Sequence, residues 1–214
     1  LTELKTDHQG HRWHIRGQYQ RGDTATDLGR SRFDGELRSP ALGSLLHDYD
    51  VSSSLSGSPA DVSFSGLSWQ GAPFQFNRKT LDGAVQWQLG EGSLSEVSDG
   101  GARIFSLLSL DSLVRKLRLD FRDVFAKGFF FNKMTGSMRI SQGLSHTNDT
   151  FIDGVAGDLE LKGKADLVAH QLDYKISFSP KVTSSLPVIL AWMVNPVSGE
   201  IGRASCRERV FRIV

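Results

Sequence analysis

Strict alternation of apolar and polar residues, sustained over runs of about ten positions, is the feature that most narrows what this chain can fold into. In "LDGAVQWQLGEG" the odd positions Leu81, Gly83, Val85, Trp87 and Leu89 are apolar or small, while Asp82, Gln86 and Gln88 alternate with them. A strand turns successive side chains to opposite faces, so the pattern requires a strand with one dry face and one wet face. "VAGDLELKGKADL" repeats it, with Val155, Leu159, Leu161, Ala165 and Leu167 set against Asp158, Glu160, Lys162, Lys164 and Asp166. In "HQLDYKISF" His170, Leu172, Tyr174, Ile176 and Phe178 share a face, as do Met134, Gly136, Met138 and Ile140 in "KMTGSMRISQG".

Further strand candidates are "HRWHIRGQYQ", "SRFDGELRS", "DVSFSGLSWQ", "PFQFNRK" and "GSLSEV". Short turns between runs of this length predict an antiparallel meander of hairpins rather than βαβ units. Glycine recurs inside the runs (Gly17, Gly35, Gly66, Gly83, Gly136, Gly163), where it permits bulges, bends and the close approach of another surface. The expected fold is therefore mainly β: a long, curved antiparallel sheet with two or three helices. "VSSSLSGSPA", residues 51–60, reads as a loop.

Three segments read as helical. "SPALGSLLHD" offers Ser39 as N-cap and Pro40 as first residue, then Leu42, Leu45 and Leu46, which predicts a short helix near 40–47. "GARIFSLLSLDSLVRKLRLDFRDVF" carries an apolar stripe of Ile104, Leu107, Leu108, Val114 and Leu117, with Arg115, Lys116 and Arg118 in its last turns. "SSLPVILAWMV" is apolar all round, so it should be buried or touch lipid. The chain divides into a β-rich part at 1–100, a helix, meander and short apolar helix at 101–199, and a tail at 200–214.

The tail departs from everything before it. "EIGRASCRERVFRIV" holds the chain's one cysteine, Cys206, and lacks both periodicities. Glu200 to Val210 is what a common short-read sequencing adapter encodes when translated, so these residues are expected to be foreign to the gene. The net charge is +1; without the tail's four arginines and two glutamates it becomes −1, so the basic balance belongs to the tail.

The residues exclude several functions. His11 and His14 sit three apart on an expected strand, hence on opposite faces, and read as surface histidines rather than metal ligands. No phosphate loop, His-Glu-x-x-His, Gly-x-Ser-x-Gly or dinucleotide fingerprint is present, and Asp120 with Asp123 reads as a helix-end pair. Neither a catalytic constellation nor a cofactor site is expected. The cations at Arg115, Lys116 and Arg118 are too few for a nucleic-acid footprint. The longest apolar run, Leu186 to Val194, is under half of the roughly 20 residues that span a bilayer, so any membrane anchor is expected outside this segment.

Read whole, "DGELRSPALGSLLHDYDVSSSLSGSPADVSFSGLSWQGAPFQFNRKTLDGAVQWQLGEGSLSEVSDGGARIFSLLSLDSLVRKLRLDFRDVFAKGFFFNKMTGSMRISQG" resembles the C-terminal region of the YhdP family, large AsmA-like proteins of Gram-negative envelopes. The resemblance continues through "DGVAGDLELKGKADLVAHQLDYKISFSPKVTSSLPVILAWMVNPVSG" and is most specific over "GGARIFSLLSLDSLVRKLRLDFRDVFAKGFFF". Residues 1–29 fit as upstream strands but carry little family signal. It implies a piece of an elongated, inner-membrane-anchored periplasmic protein whose open β-groove takes part in phospholipid transport toward the outer membrane and supports its barrier. It implies no enzyme and no cofactor. An outer-membrane or periplasmic protein partner is an open expectation.

A diacyl lipid has about 30 methylenes, and at roughly 0.8 kcal/mol each their exposure to water costs on the order of 24 kcal/mol, which a continuous apolar face would largely remove. The alternating faces nominate Leu81, Val85, Trp87, Leu89, Met138, Ile140, Val155, Leu159, Leu161, Leu167, Leu172, Tyr174 and Ile176 as groove lining. The same alternation is also what ordinary core packing produces. Arg115, Lys116, Arg118, Leu190, Trp192 and Met193 are nominated for membrane or partner contact. A different class of function also fits: a structural β-module that binds a protein or glycan on Trp13, Trp69 or Trp87.

Overall fold

A computed structural model of the chain describes residues 2–24, 27–49, 51, 54–94, 128–169, 171–181 and 204–207. The alternating runs pair side by side into one antiparallel sheet of twelve strands, as the one-sided pattern requires. The strands are β1 (Thr2–His8), β2 (His11–Gln20), β3 (Arg30–Ser39), β4 (Leu55–Gly57), β5 (Ala60–Gln70), β6 (Asp82–Leu89), β7 (Gly92–Leu94), β8 (Phe129–Ser141), β9 (Leu144–Gly154), β10 (Gly157–Asp166), β11 (Gln171–Pro180) and β12 (Ala204–Arg207). The main path runs β1-β2-β3-β5-β6-β8-β9-β10-β11-β12; β4 pairs with β7, which also pairs with β8. The path does not close on itself, so the sheet is open.

Two hairpins are made the same way. Gln9-Gly10 and Gln142-Gly143 form two-residue turns in which both residues have positive φ, the geometry that matches the twist of the flanking strands. The register they set is kept across the sheet. Lys5, His14, Glu36, Ser63, Gln86 and Ser137 form one continuous polar row, and Thr6, Trp13, Leu37, Val62, Trp87 and Gly136 form the adjacent row on the other face.

One α-helix, α1 (Leu42–Asp48), lies among the described residues and buries Leu42 and Leu45. Its N-cap is Ala41, not Ser39. Ser39 is the last residue of β3, and its Oγ accepts the Ala41 N–H at 3.2 Å and meets His11 Nδ1 at 2.9 Å. The hydroxyl is engaged one step before the helix begins, so the helix starts later than Pro40. The helices expected at 101–125 and 184–194 lie outside the described residues.

Several other expectations are corrected. "PFQFNRK" is a loop between β5 and β6 that ends in a 3-10 turn, Arg78–Thr80. Its alternation imitates a strand, but Asn77 Oδ1 accepts the Lys79 N–H at 3.0 Å and fixes a turn there. The segment read as a loop at 51–60 contains β4. Strand β9 was not anticipated, and β8 begins four residues earlier than "KMTGSMRISQG" implies. His11 is buried at the end of β2 rather than at the surface.

The apolar face carries two packed clusters at opposite ends of the strands. The larger joins Leu37, α1, Leu55, Leu89, Leu94, Phe129, Phe131, Met134, Ile152, Leu159, Leu161, Ile176 and Phe178; the smaller joins Trp69, Leu81, Ile140, Ala165 and Leu167. Register shifts explain how β8 feeds the first with both Phe131 and Met134: a bulge between Phe131 and Lys133 switches which parity faces inward.

Candidate functional site

Between the buried cores of the two clusters the apolar face stays partly exposed, with Trp13, Val62 and Trp87 packed against the larger cluster and Phe33, Leu67 and Met138 against the smaller. Trp13 and Ile15 on β2, Phe33 on β3, Val62, Phe64 and Leu67 on β5, Val85 and Trp87 on β6, and Met138 on β8 are all half-buried. Cross-strand register lines up Leu4, Ile15, Gly35, Phe64, Val85 and Met138 as one row across six strands. At about 4.8 Å per strand the row spans about 24 Å, longer than the roughly 15 Å of one bilayer leaflet's hydrocarbon. Leu4, at the β1 end of the row, is 54 % exposed.

Glycine keeps this strip smooth. The Phe33 ring lies over Gly17, Phe64 over Gly35 and Trp87 over Gly136, in each case the glycine's direct partner on the adjacent strand. A ring laid flat over a neighbouring backbone covers its hydrogen bonds and leaves a low apolar surface.

On β9 the floor changes character. Its inward positions Ser145, Thr147 and Thr150 are buried hydroxyls, and each has a partner: Thr147 Oγ1 meets Thr150 Oγ1 at 2.8 Å, and Ser145 Oγ donates to the Ala165 carbonyl at 3.2 Å. Tyr174 packs against both apolar clusters, and burial pushes its phenol above the usual range, offset in part by a hydrogen bond with Ser145. These groups are satisfied within the protein, as buried polar groups must be.

The nominated lining residues therefore separate into three sets. Val85, Trp87, Met138, Leu172 and Tyr174 are half-buried on the inner face. Leu81, Leu89, Ile140, Leu159, Leu161, Leu167 and Ile176 are buried inside the clusters and are core. Val155 is a correction: it lies in the turn between β9 and β10 and is 60 % exposed, because the strand that alternation begins at Val155 begins at Gly157. Arg115, Lys116, Arg118, Leu190, Trp192 and Met193 lie outside the described residues. Alternation in "HRWHIRGQYQ" and "DVSFSGLSWQ" was the signal that would have added Trp13, Ile15, Val62 and Phe64 to the set.

The opposite face is charged and internally paired. Glu3 collects Lys5 at 3.2 Å, His14 Nε2 at 2.6 Å and Arg16 at 3.4 Å, and the His14 hydrogen bond leads in lowering its carboxyl to about 2. Arg38 reaches Glu36 and Asp61, and Asp149 accepts both the N–H and the Oγ–H of Ser137, which holds its pKa down. In the shallow hollow lined by Glu36, Arg38, Asp61, Gln86 and Asp149, the charged groups thus already have partners. Among the described residues no three His, Cys, Asp or Glu are placed to hold a metal ion. Trp69 is buried under Phe33 and Phe76, so it is no platform for a glycan. No helix among the described residues is long and apolar enough to cross a membrane.

Comparison with known proteins gives a consistent picture. A family model described as "YhdP protein" matches residues 1–210, a range that includes most of the tail expected to be foreign. The curated "Intermembrane phospholipid transporter YhdP" of Escherichia coli (strain K12) is 35 % identical over 171 residues, which is 79 % of this chain and 13 % of that protein. The chain thus spans a small part of the relative's length. No solved structure matches.

Proposed function

The chain belongs to the YhdP family, and from that premise we propose that it is a noncatalytic segment of an envelope lipid conduit, sheltering phospholipid acyl chains on the apolar face of its open sheet. The observation that carries the reading is the cross-strand row from exposed Leu4 through half-buried Ile15, Phe64 and Val85 to Met138. Its side chains are apolar, interrupted by Gly35; they follow one another across six strands in register, and each keeps part of its surface exposed. Water on such a surface is replaced favourably by methylenes, at roughly 25 cal/mol per Å² of apolar area covered. The charged face, where Glu3, Glu36, Asp61 and Asp149 have partners, stays in water.

In this reading the segment stands in the periplasm as part of a protein anchored in the inner membrane, and lipid passes along the face between the two membranes, supporting the outer-membrane barrier. The likeness to a named intermembrane phospholipid transporter supports phospholipid as the cargo.

Photo-crosslinking in cells tests the face directly. A crosslinking residue at Val85 or Met138 should capture phospholipid, whereas one at Gln86 or Gln88, on the same strand as Val85 but pointing to the wet face, should not. Equal labelling from both faces, or none from Val85 and Met138, rejects the conduit.

A further inference from the structure

The loop that alternation mistakes for a strand holds the most exposed large apolar side chain among the described residues. Phe74, between β5 and β6, is 87 % exposed, and Phe76 is 52 % exposed. The loop from Gly71 to Leu81 has no acidic residue and ends in exposed Arg78 and Lys79. It is held in place: Trp69 Nε1–H donates to the Ala72 carbonyl at 3.2 Å, and Thr80 Oγ1 accepts the Gln70 N–H at 2.9 Å. Phe76 meets Trp69 edge-on at 5.1 Å, and Trp69 stacks on Phe33 at 5.1 Å, so aromatic rings lead from the loop to the strip on the inner face. Leu28 and Val168 are exposed on neighbouring loops at the same ends of the strands.

We propose that this rim of the sheet, led by the β5–β6 loop, docks on a phospholipid surface that carries anionic headgroups. Phe74 enters the boundary between headgroups and acyl chains, and Lys79 lies beside phosphates. The composition is what selects this partner. Within the β5–β6 loop, exposed aromatic rings stand beside cations with no acidic residue between them, while Asp23, Asp27, Asp82 and Asp166 lie elsewhere on the rim; such a loop suits an interface that is apolar below and negatively charged above. Tyr49, Phe130 and Val155 are also exposed at the other ends of the strands, so it is the pairing of the highly exposed Phe74 with Lys79 of the same loop that marks this loop as the contact surface. The inference concerns the rim and stands independently of whether the inner face carries lipid.

The test is co-flotation of this chain with vesicles of phosphatidylethanolamine and phosphatidylglycerol, compared with vesicles of phosphatidylcholine alone. The chain should float with the anionic vesicles, and Phe74→Ser should weaken that binding by about tenfold or more, a factor that corresponds to 1.4 kcal/mol. Lys79→Glu should weaken binding several-fold on the anionic vesicles, and added salt should do the same. Val155→Ser, at an exposed position on the opposite rim, should leave binding unchanged. All three side chains are exposed, so circular dichroism should report the same fold throughout. Absence of flotation, full binding by Phe74→Ser, or an equal loss from Val155→Ser overturns the proposal. Vesicle binding that persists where crosslinks at Val85 and Met138 fail would reject the conduit and keep the rim.

Discussion

The indole of Trp87 occupies the space that a side chain on Gly136, its partner one strand over, would need. A Cβ on Gly136 would lie 2.5 Å from Trp87 Cζ2 and 2.8 Å from Thr150 Oγ1. Neither neighbour is free to withdraw, since Trp87 packs against the larger cluster and Thr150 is hydrogen-bonded to Thr147. Gly136→Val should therefore cost about 1–3 kcal/mol, the usual penalty for forcing extra volume into a packed site. A urea melt should show the midpoint falling with its slope unchanged; a variant as stable as the original would mean the ring is not fixed over the glycine.

The division of the apolar face into packed ends and an open middle gives a second expectation. Leu159 is fully buried and Val85 half-buried, on strands of the same sheet. Leu159→Ala should cost about 2–5 kcal/mol, because it leaves a cavity that the cluster closes only in part. Val85→Ser should cost well under that in stability, yet reduce the phospholipid that mass spectrometry finds co-purified with the chain. Equal stability losses from both would show that the middle of the face is core like its ends.

What the sequence made legible follows from the same geometry. Strands β2, β6, β10 and β11 are readable because their inward positions hold mostly apolar residues, with glycine or alanine between, at an unbroken period of two. Strand β9 is not, because its inward positions hold Ser145, Thr147 and Thr150, and a register shift opposite Asp149 moves the inward set from odd to even numbers. Phe131 and Met134 hide the start of β8 for the same reason. The open strip was visible in part: Val85, Trp87 and Met138 are named by alternation alone, but nothing in a single strand tells a half-buried position from a buried one. That distinction depends on where the two clusters close, which is a property of all the strands together.

Hydrogen bonds to carboxylates on the wet face predict an acid response. Asp149 is held below its usual 3.8 chiefly by the Ser137 hydroxyl and also by the Ser137 N–H. A carboxyl whose pKa is lowered on folding stabilises the fold above its unfolded value, and that contribution disappears as the pH falls through the folded one. Ser137→Ala removes one of the two donors. It should cost no more than about 1 kcal/mol at neutral pH, since the site is exposed. The difference from the original chain should shrink as the pH is taken below 3.8. Nuclear magnetic resonance titration of the Asp149 carboxyl should show its pKa rising in the variant, and an unmoved pKa would mean the hydroxyl does not donate there.

A charged triad at the end of β9 and β10 makes the last prediction. Asp153 and Asp158 are direct partners across these strands, an arrangement that is unfavourable for two like charges, and Lys181 Nζ reaches both, lying 2.8 Å from Asp158 Oδ1. The lysine lowers the Asp153 pKa, and the two carboxylates raise that of Lys181, with Asp153 contributing most. The stabilisation is therefore fully present above the ordinary Asp value of 3.8 and below the ordinary Lys value of 10.5, and it is lost outside that window in both directions. Lys181→Met should lower the thermal midpoint by a few degrees at neutral pH, a modest effect because all three side chains are partly exposed. Adding Asp158→Asn to Lys181→Met should restore part of the loss, because it removes one of the two facing charges. The gap between Lys181→Met and the original chain should narrow as the pH falls below 3.8. If the second substitution restores nothing, or the gap is the same at every pH, the lysine acts through its methylenes and not by separating the two carboxylates.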